Sequence, residues 1–148
     1  MGLLSKKSCQ FAIKSGGHGI LTGSSNIANG VTIDLRAMRS VSLNKETKIA
    51  TIQPGAKWIE VYDYLRPLGY AVPGGRAGDV GVGGLVSGGK IYSRASYFSP
   101  RDSRPYEFFL GGNSFFAARY GLVCDNVKNF EVYSSATSTK DSVALMVL

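Results

Sequence analysis

The sequence predicts an α+β domain, and three observations carry that reading. Short stretches of alternating apolar residues recur along the first third of the chain. One later segment repeats its apolar residues at helical spacing. The two patterns do not alternate as a regular βαβ array would. With 148 residues the chain can bury one core, but not a second full domain beside it.

Residues 11–14, Phe-Ala-Ile-Lys, alternate apolar with smaller or polar positions and run into Ser15-Gly16-Gly17, a strand delivering a turn. Val31-Thr32-Ile33-Asp34-Leu35 reads as a second strand. Val41 to Leu43 and Ile49 to Gln53 flank the polar run 44–48 and read as a hairpin that Pro54-Gly55 stops. Trp58, Val61, Tyr62 and Leu65 fall at i, i+3, i+4 and i+7, which predicts an amphipathic helix over 56–66. Trp58 is expected to anchor that helix in the core rather than to serve as a substrate platform. Pro67 and Gly69 end it. The stretch from Gly74 to Gly89 is too rich in glycine to be a stable helix throughout. A last strand is expected from Val127 to Tyr133, and the tail, 134–148, opens Ser/Thr-rich and turns apolar at Val143.

The composition is 44% hydrophobic and 18% charged, too apolar for a disordered chain. The net charge of +7 raises nucleic acid or an anionic membrane as partners, but the basic residues are scattered and form no run of five. Ligand binding is therefore preferred, with no nucleic-acid partner. The two cysteines, Cys9 and Cys124, give no zinc spacing and no disulfide framework, so two buried thiols and no metal site are expected. No apolar run approaches the ~18 residues of a membrane span. The N-terminus has no long apolar signal segment, and Lys6 stands where a myristoylation pattern wants Ser or Thr. As written, the product is expected inside the cell.

Glycine is the outlier, with nineteen residues, many of them in two clusters. The first is Lys14-Ser15-Gly16-Gly17-His18-Gly19. Paired glycines after a strand can aim successive N–H groups at one concavity and let an anion approach the main chain. Alone this signal is weak, because most Gly-Gly pairs are turns. The second cluster runs from Gly74 to Gly89. Its Gly81-Val82-Gly83-Gly84-Leu85-Val86 lacks the sixth-place glycine of a Rossmann fingerprint, and no P-loop Lys-Ser/Thr pair follows. Two backbone cradles in one small domain favour a large anionic ligand.

The stretch from Phe11 to Leu35, FAIKSGGHGILTGSSNIANGVTIDL, resembles the first flavin loop and following strand of the fungal berberine-bridge-enzyme-like, FAD-linked oxidases. Gly81 to Gly89, together with Tyr120-Gly121-Leu122-Val123-Cys124-Asp125-Asn126-Val127, is similar to that family's second loop and the segment after it. The matches cover most of residues 10–132 and place a partial PCMH-type FAD-binding domain over 10–133.

The resemblance implies FAD in an elongated cleft between two small α/β subdomains, its pyrophosphate on the two loops. The cofactor-binding residues it implies are Lys14, Ser15, Gly16, Gly17, His18, Gly19, Gly81, Val82, Gly83, Gly84, Gly88, Gly89, Asp125, Asn126 and Val127. His18 matches the histidine that in many relatives bonds covalently to the flavin 8α-methyl carbon. A lone histidine in a turn would ordinarily be read as just that, but a neutral imidazole is a nucleophile near neutral pH. Some relatives add a second tether from a cysteine at about the position of Ala77, so any tether here is expected to be single.

Residues 90–111 match nothing in the family. Removing them joins Gly88-Gly89 to Gly112-Asn113 and restores GGLVSGGGNSFFAARYG. Gly89-Lys90 can be encoded GGT-AAG, with a splice donor, and Leu110-Gly111 as CTA-GGN, with an acceptor. The segment is thus expected to be a retained intron, against the alternative of a surface loop, since structureless loops above ~15 residues are uncommon in compact domains. Sequencing the transcript decides it, and finding only the unspliced form would end the idea.

By resemblance the chain is an FAD-linked oxidoreductase of a small organic substrate, in a family whose substrates include sugars, alkaloids and polyketide-like metabolites and whose full-length members are often secreted. Complete relatives pass a hydride to flavin N5 and reoxidise with oxygen. Their substrate-binding region and catalytic base match nothing in this sequence, so no catalytic residue is assigned. The alternatives are a non-catalytic or mis-spliced flavin-domain product and, behind it, a basic nucleic-acid-binding module.

Overall fold

The computed structural model of the chain describes residues 9–88, 111–131 and 145–146. Strand β1, Phe11–Lys14, pairs in parallel with β2, Val31–Asp34, with Phe11 opposite Val31 and Lys14 opposite Asp34. The ladder is extended at both ends: Val31 N–H donates to the Gln10 carbonyl at 3.1 Å and Leu35 N–H to the Lys14 carbonyl at 2.8 Å. Parallel strands need a long connection. Here residues 15–30, which begin with the first glycine loop, supply that connection without a helix.

Strand β3, Val41–Asn44, and β4, Ile49–Ile52, form the antiparallel hairpin, with Val41 opposite Ile52. Asn44 closes its loop, its Oδ1 accepting from the N–H groups of Glu46 and Thr47 at 3.0 and 3.1 Å. The two-residue strand β5, Leu145–Met146, adds to the other side of β4.

Helix α1, Trp58–Leu65, begins where the Lys57 N–H donates to the Glu60 side chain at 2.9 Å, which satisfies an otherwise orphaned donor. Pro67 cannot continue it, so the chain tightens into a 3₁₀ turn over Arg66–Leu68, and Gly69 leaves that turn at φ 78°. Helix α2 spans Val82–Gly88 and α3 Ala117–Tyr120, followed by a 3₁₀ turn over Cys124–Asn126.

The core lies between the hairpin and the helices. Ala50 and Ile52 of β4, Trp58, Val61 and Leu65 of α1, Val82 and Val86 of α2, and Ala56, Val72 and Val123 are all buried. Trp58 stacks on Tyr62 with ring centroids 5.9 Å apart. Gly74 and Gly75 lie flat on this pair: a Cβ on Gly75 would come 2.5 Å from Trp58 Cδ1. The Tyr62 hydroxyl donates to the Gly75 carbonyl at 2.6 Å. The start of the second glycine cluster is thus a packing feature, shaped by an indole.

The sequence-based helix and first four strands form within a few residues of their expected bounds. The glycine-rich stretch divides, irregular over 74–81 and helical over Val82–Gly88. The strand expected from Val127 to Tyr133 does not form across its described part. Val127 makes an isolated bridge and 128–131 belong to no ladder, because alternation stabilises a strand only where a neighbour runs alongside. Both cysteines are half-buried rather than buried. Burial, and then the charge of Asp125, raise the Cys124 thiol above its ordinary pKa. Of the 90–111 segment only Gly111 is described, and Gly89 and all of 134–148 except β5 lie outside the described residues. Among the described residues no helix is long and apolar enough to cross a membrane.

Candidate functional site: a glycine-lined cleft

The two glycine clusters meet backbone to backbone. A Cβ on Gly16 would lie 2.5 Å from the Gly81 nitrogen. A Cβ on Gly81 would overlap the Gly16 nitrogen and stand 2.6 Å from Ser15 Oγ. Only glycine at both positions permits this approach. Ser15 reinforces it by donating from Oγ to the Pro54 carbonyl at 2.5 Å. Gly83 packs on the same carbonyl, which a Cβ there would approach to 2.9 Å. Pro54, which the sequence offered only as the end of a hairpin, is therefore part of the junction.

The second cluster is pinned to the start of α1. Trp58 N–H donates to the Val80 carbonyl at 3.0 Å, Ile59 N–H to the Gly78 carbonyl at 2.9 Å, and Val82 N–H to the Ala56 carbonyl at 2.9 Å. The first cluster leaves β1 and, at Gly17, takes φ 68°, with the Lys14 stem lying across it.

Beside this junction opens a cleft of about 680 Å³, a volume typical of small-molecule sites. Its walls are apolar at Ile13, Ile20, Leu21, Leu35, Pro54, Val80 and Leu85, and glycines, serines and His18 line the rest. Among the described lining residues His18 is the one titratable side chain. His18 Nε2 stands 3.5 Å from Asp79 Oδ2, a link between the two clusters.

The cleft gathers Ser15, Gly16, Gly17, His18, Gly19, Gly81, Gly83, Gly84 and Gly88. Lys14 is not among its lining. Its amine sits 3.8 Å from Asp34 Oδ2, and it borders a smaller neighbouring cavity of about 390 Å³. The Arg36 N–H, bonded to the Asp34 carboxyl at 3.0 Å, is the main reason that carboxyl titrates below its ordinary range. Val82 turns its side chain into the core, and its N–H is already engaged by Ala56.

Asp125, Asn126 and Val127 do not line the cleft either, and their bonds explain why. Asp125 Oδ2 accepts from Leu122 N–H at 2.7 Å. Asn126, buried, donates from Nδ2 to the Tyr120 and Leu122 carbonyls at 2.9 and 2.8 Å. Val127 packs against the core. These residues lock a turn, a role Asp and Asn take up readily. Sequence reasoning also passed over Leu35 and Asp79. The linear signal for Asp79, an acid two residues before Gly81, is visible, but nothing in spacing connects it to His18.

Residues 1–99 match the family model described as FAD binding domain. The chain is 37% identical over 126 residues to the FAD-dependent monooxygenase drtC of Aspergillus calidoustus, covering 85% of this chain and 20% of that protein. It is 41% identical over 124 residues to the FAD-dependent monooxygenase sdcF of Emericella nidulans, covering 84% of this chain and 21% of that protein. Among solved structures, berberine bridge enzyme in complex with (S)-reticuline superposes with a TM-score of 0.75 at 19% identity, over 98% of this chain and 30% of that one. The berberine-bridge-enzyme-like protein 28 of Arabidopsis thaliana gives 0.75 at 22% identity, over 98% and 31%. These structural matches establish the fold. The chain spans about a fifth of the length of these curated relatives. With the family model matching well over half its residues, the chain belongs to the FAD-binding domain family, in the PCMH-type fold of the berberine-bridge-enzyme-like proteins.

Proposed function

We propose that this chain holds FAD along the glycine cleft and is the flavin-binding part of an oxidoreductase acting on a small organic molecule. The observation that carries the reading is the Gly16–Gly81 contact, where a glycine of each loop presses its main chain onto the other at the edge of a cleft of about 680 Å³. A cleft wall of glycine backbone suits a pyrophosphate, which needs close N–H donors and no Cβ in the way. Ser15, Gly16, Gly17 and Gly19 from the first loop and Gly81, Gly83, Gly84 and Gly88 from the second are the proposed contacts. The apolar walls at Ile13, Ile20, Leu21 and Leu85 suit a flat aromatic ring. When bound, the flavin supplies two-electron redox chemistry, with hydride accepted at N5 and oxygen as the final acceptor.

The protein's own residues bind, orient and shelter. No described lining residue other than His18 carries a side chain of the kind that serves as a general base. We therefore propose FAD binding for this chain, and substrate turnover only for a longer protein that brings a substrate wall and a base. The same observation favours a second reading, a flavin-binding product without turnover. His18 is the proposed point of attachment to the flavin 8α carbon.

The test is the visible spectrum of the purified chain before and after acid precipitation. Yellow colour that stays with the pellet, and leaves it in His18→Ala, is the expected result. Colour confined to the supernatant would remove the tether but keep FAD. A folded, colourless protein that takes up no added FAD would overturn the reading.

A further inference from the structure

We propose that Asp79 is a positioning residue for His18: its carboxylate takes the Nε2–H of the imidazole and leaves Nδ1 as the nucleophile toward the flavin 8α carbon. This rests on the proposed attachment at His18. The geometry behind it is the 3.5 Å approach of His18 Nε2 to Asp79 Oδ2. The two residues come from different loops, on either side of the Gly16–Gly81 contact, so the pair forms only when the cleft is assembled.

Asp79 is well placed to orient a partner. The backbone on both sides of it is fixed, with the Gly78 carbonyl accepting from Ile59 N–H and the Val80 carbonyl from Trp58 N–H, at 2.9 and 3.0 Å. His18 belongs to an irregular loop without helix or strand around it. Among the described residues Asp79 is the one acid within ion-pair distance of the imidazole. A neutral imidazole has one donor and one acceptor nitrogen, and a carboxylate at one nitrogen decides which is which. With Nε2 held by Asp79, the lone pair sits on Nδ1, the nitrogen then left to attack.

The same carboxylate acts as the bond forms. Nδ1 bonds to the 8α carbon, one C–H bond of that methyl group breaks, and its proton passes to solvent. The electron pair of that bond stays in the flavin ring, which is left two electrons reduced. The imidazole becomes cationic as it attacks, and the adjacent carboxylate stabilises that charge until the Nε2 proton is lost to solvent. Molecular oxygen then takes the electron pair with two protons as hydrogen peroxide.

Asp79 is exposed, so substitutions there should leave folding intact. The test uses the whole chain freed of flavin and mixed with FAD. Total bound flavin is read by absorbance, and the covalent fraction over time by fluorescence of the acid-washed pellet. Asp79→Ala should still hold FAD but form the tether at least roughly tenfold more slowly, the scale of losing an orienting partner. Asp79→Asn, which keeps an acceptor oxygen without the charge, should fall between, and Asp79→Glu should recover part of the rate. Tethering in Asp79→Ala at the unsubstituted rate, with His18→Ala free of tether, would overturn the role of Asp79 alone. Loss of all FAD binding in Asp79→Ala would show a structural role and overturn it too. No tether in the unsubstituted chain would overturn both this proposal and the reading of His18.

Discussion

Residues 9–35 and the described residues of 50–88 and 111–127 are built in different ways, although both regions contribute to the same cleft. Among the described residues, every buried apolar residue of the core falls in the second region, from Ala50 to Val123. The first region has none. Its sheet shows Phe11, Ile13 and Val31 at 38%, 49% and 41% exposure. What holds the first glycine loop in place is mainly its docking on the second region, through Ser15 on Pro54 and Gly16 on Gly81. The packed half thus acts as a template and the open half takes its shape from it. A region with few buried contacts is expected to open at lower free energy than the core it leans on.

The largest way to break this picture is through the core. Trp58 is fully buried and is the ring on which Gly74 and Gly75 lie. Trp58→Ala should cost about 3–5 kcal/mol, as large aromatic deletions do. Urea unfolding followed by circular dichroism would measure it, and a cost below about 1 kcal/mol would mean that the core is not centred there. The next effect belongs to the junction. Gly81→Ala puts a methyl group onto the Gly16 nitrogen, and overpacking of this kind costs about 1–3 kcal/mol. Because the overlap falls where the two regions meet, added FAD should bind more weakly in a fluorescence titration. Unchanged affinity would show that the regions can part there without harm to the cleft.

The comparison also explains what could be read from the sequence. Helix α1 was legible because Trp58, Val61 and Leu65 repeat at helical spacing and all face the core. The hairpin was legible from two alternating runs around a polar loop. The glycine clusters were legible as backbone cradles, but their contact was not, since it joins residues 16 and 81 and leaves no trace in local spacing. Pro54 and Asp79 were passed over for the same reason: their roles depend on the residues they meet across the fold. Asp125 and Asn126 were assigned to the ligand by resemblance, and the lock they make with Tyr120 and Leu122 depends on hydrogen bonds that spacing does not announce. The expected strand after Val127 shows the limit of periodicity, which predicts a face but not a neighbour.

Tyr62 ties the core to the second cluster through its bond to the Gly75 carbonyl, and burial pushes its hydroxyl up to about 12 from 10. The folded state therefore keeps this proton where the unfolded chain has begun to lose it. The contribution is whole below pH 10 and is lost as pH rises from 10 toward about 12. Tyr62→Phe removes that slope and leaves the Gly75 carbonyl without its partner, a loss of about 1 kcal/mol at neutral pH. Unfolding free energies of both proteins between pH 9 and pH 12 would check this, and since the other tyrosines are common to both, only the difference matters. Equal slopes would place Tyr62 in solvent.

The sharpest test of the contrast, and the one that contains the smallest single effect, compares one side chain in two places. Val31 in β2 is 41% exposed and Val61 in α1 is fully buried. Val61→Ala should cost about 2 kcal/mol, two methyl groups' worth of burial. Val31→Ala should stay within about 0.5 kcal/mol, as surface changes do. The two substitutions remove the same atoms, so the ratio of their costs reports the environment and not the chemistry. Comparable losses would mean that the first sheet is covered in solution by other parts of the chain, and the open half would then have to be treated as a second core.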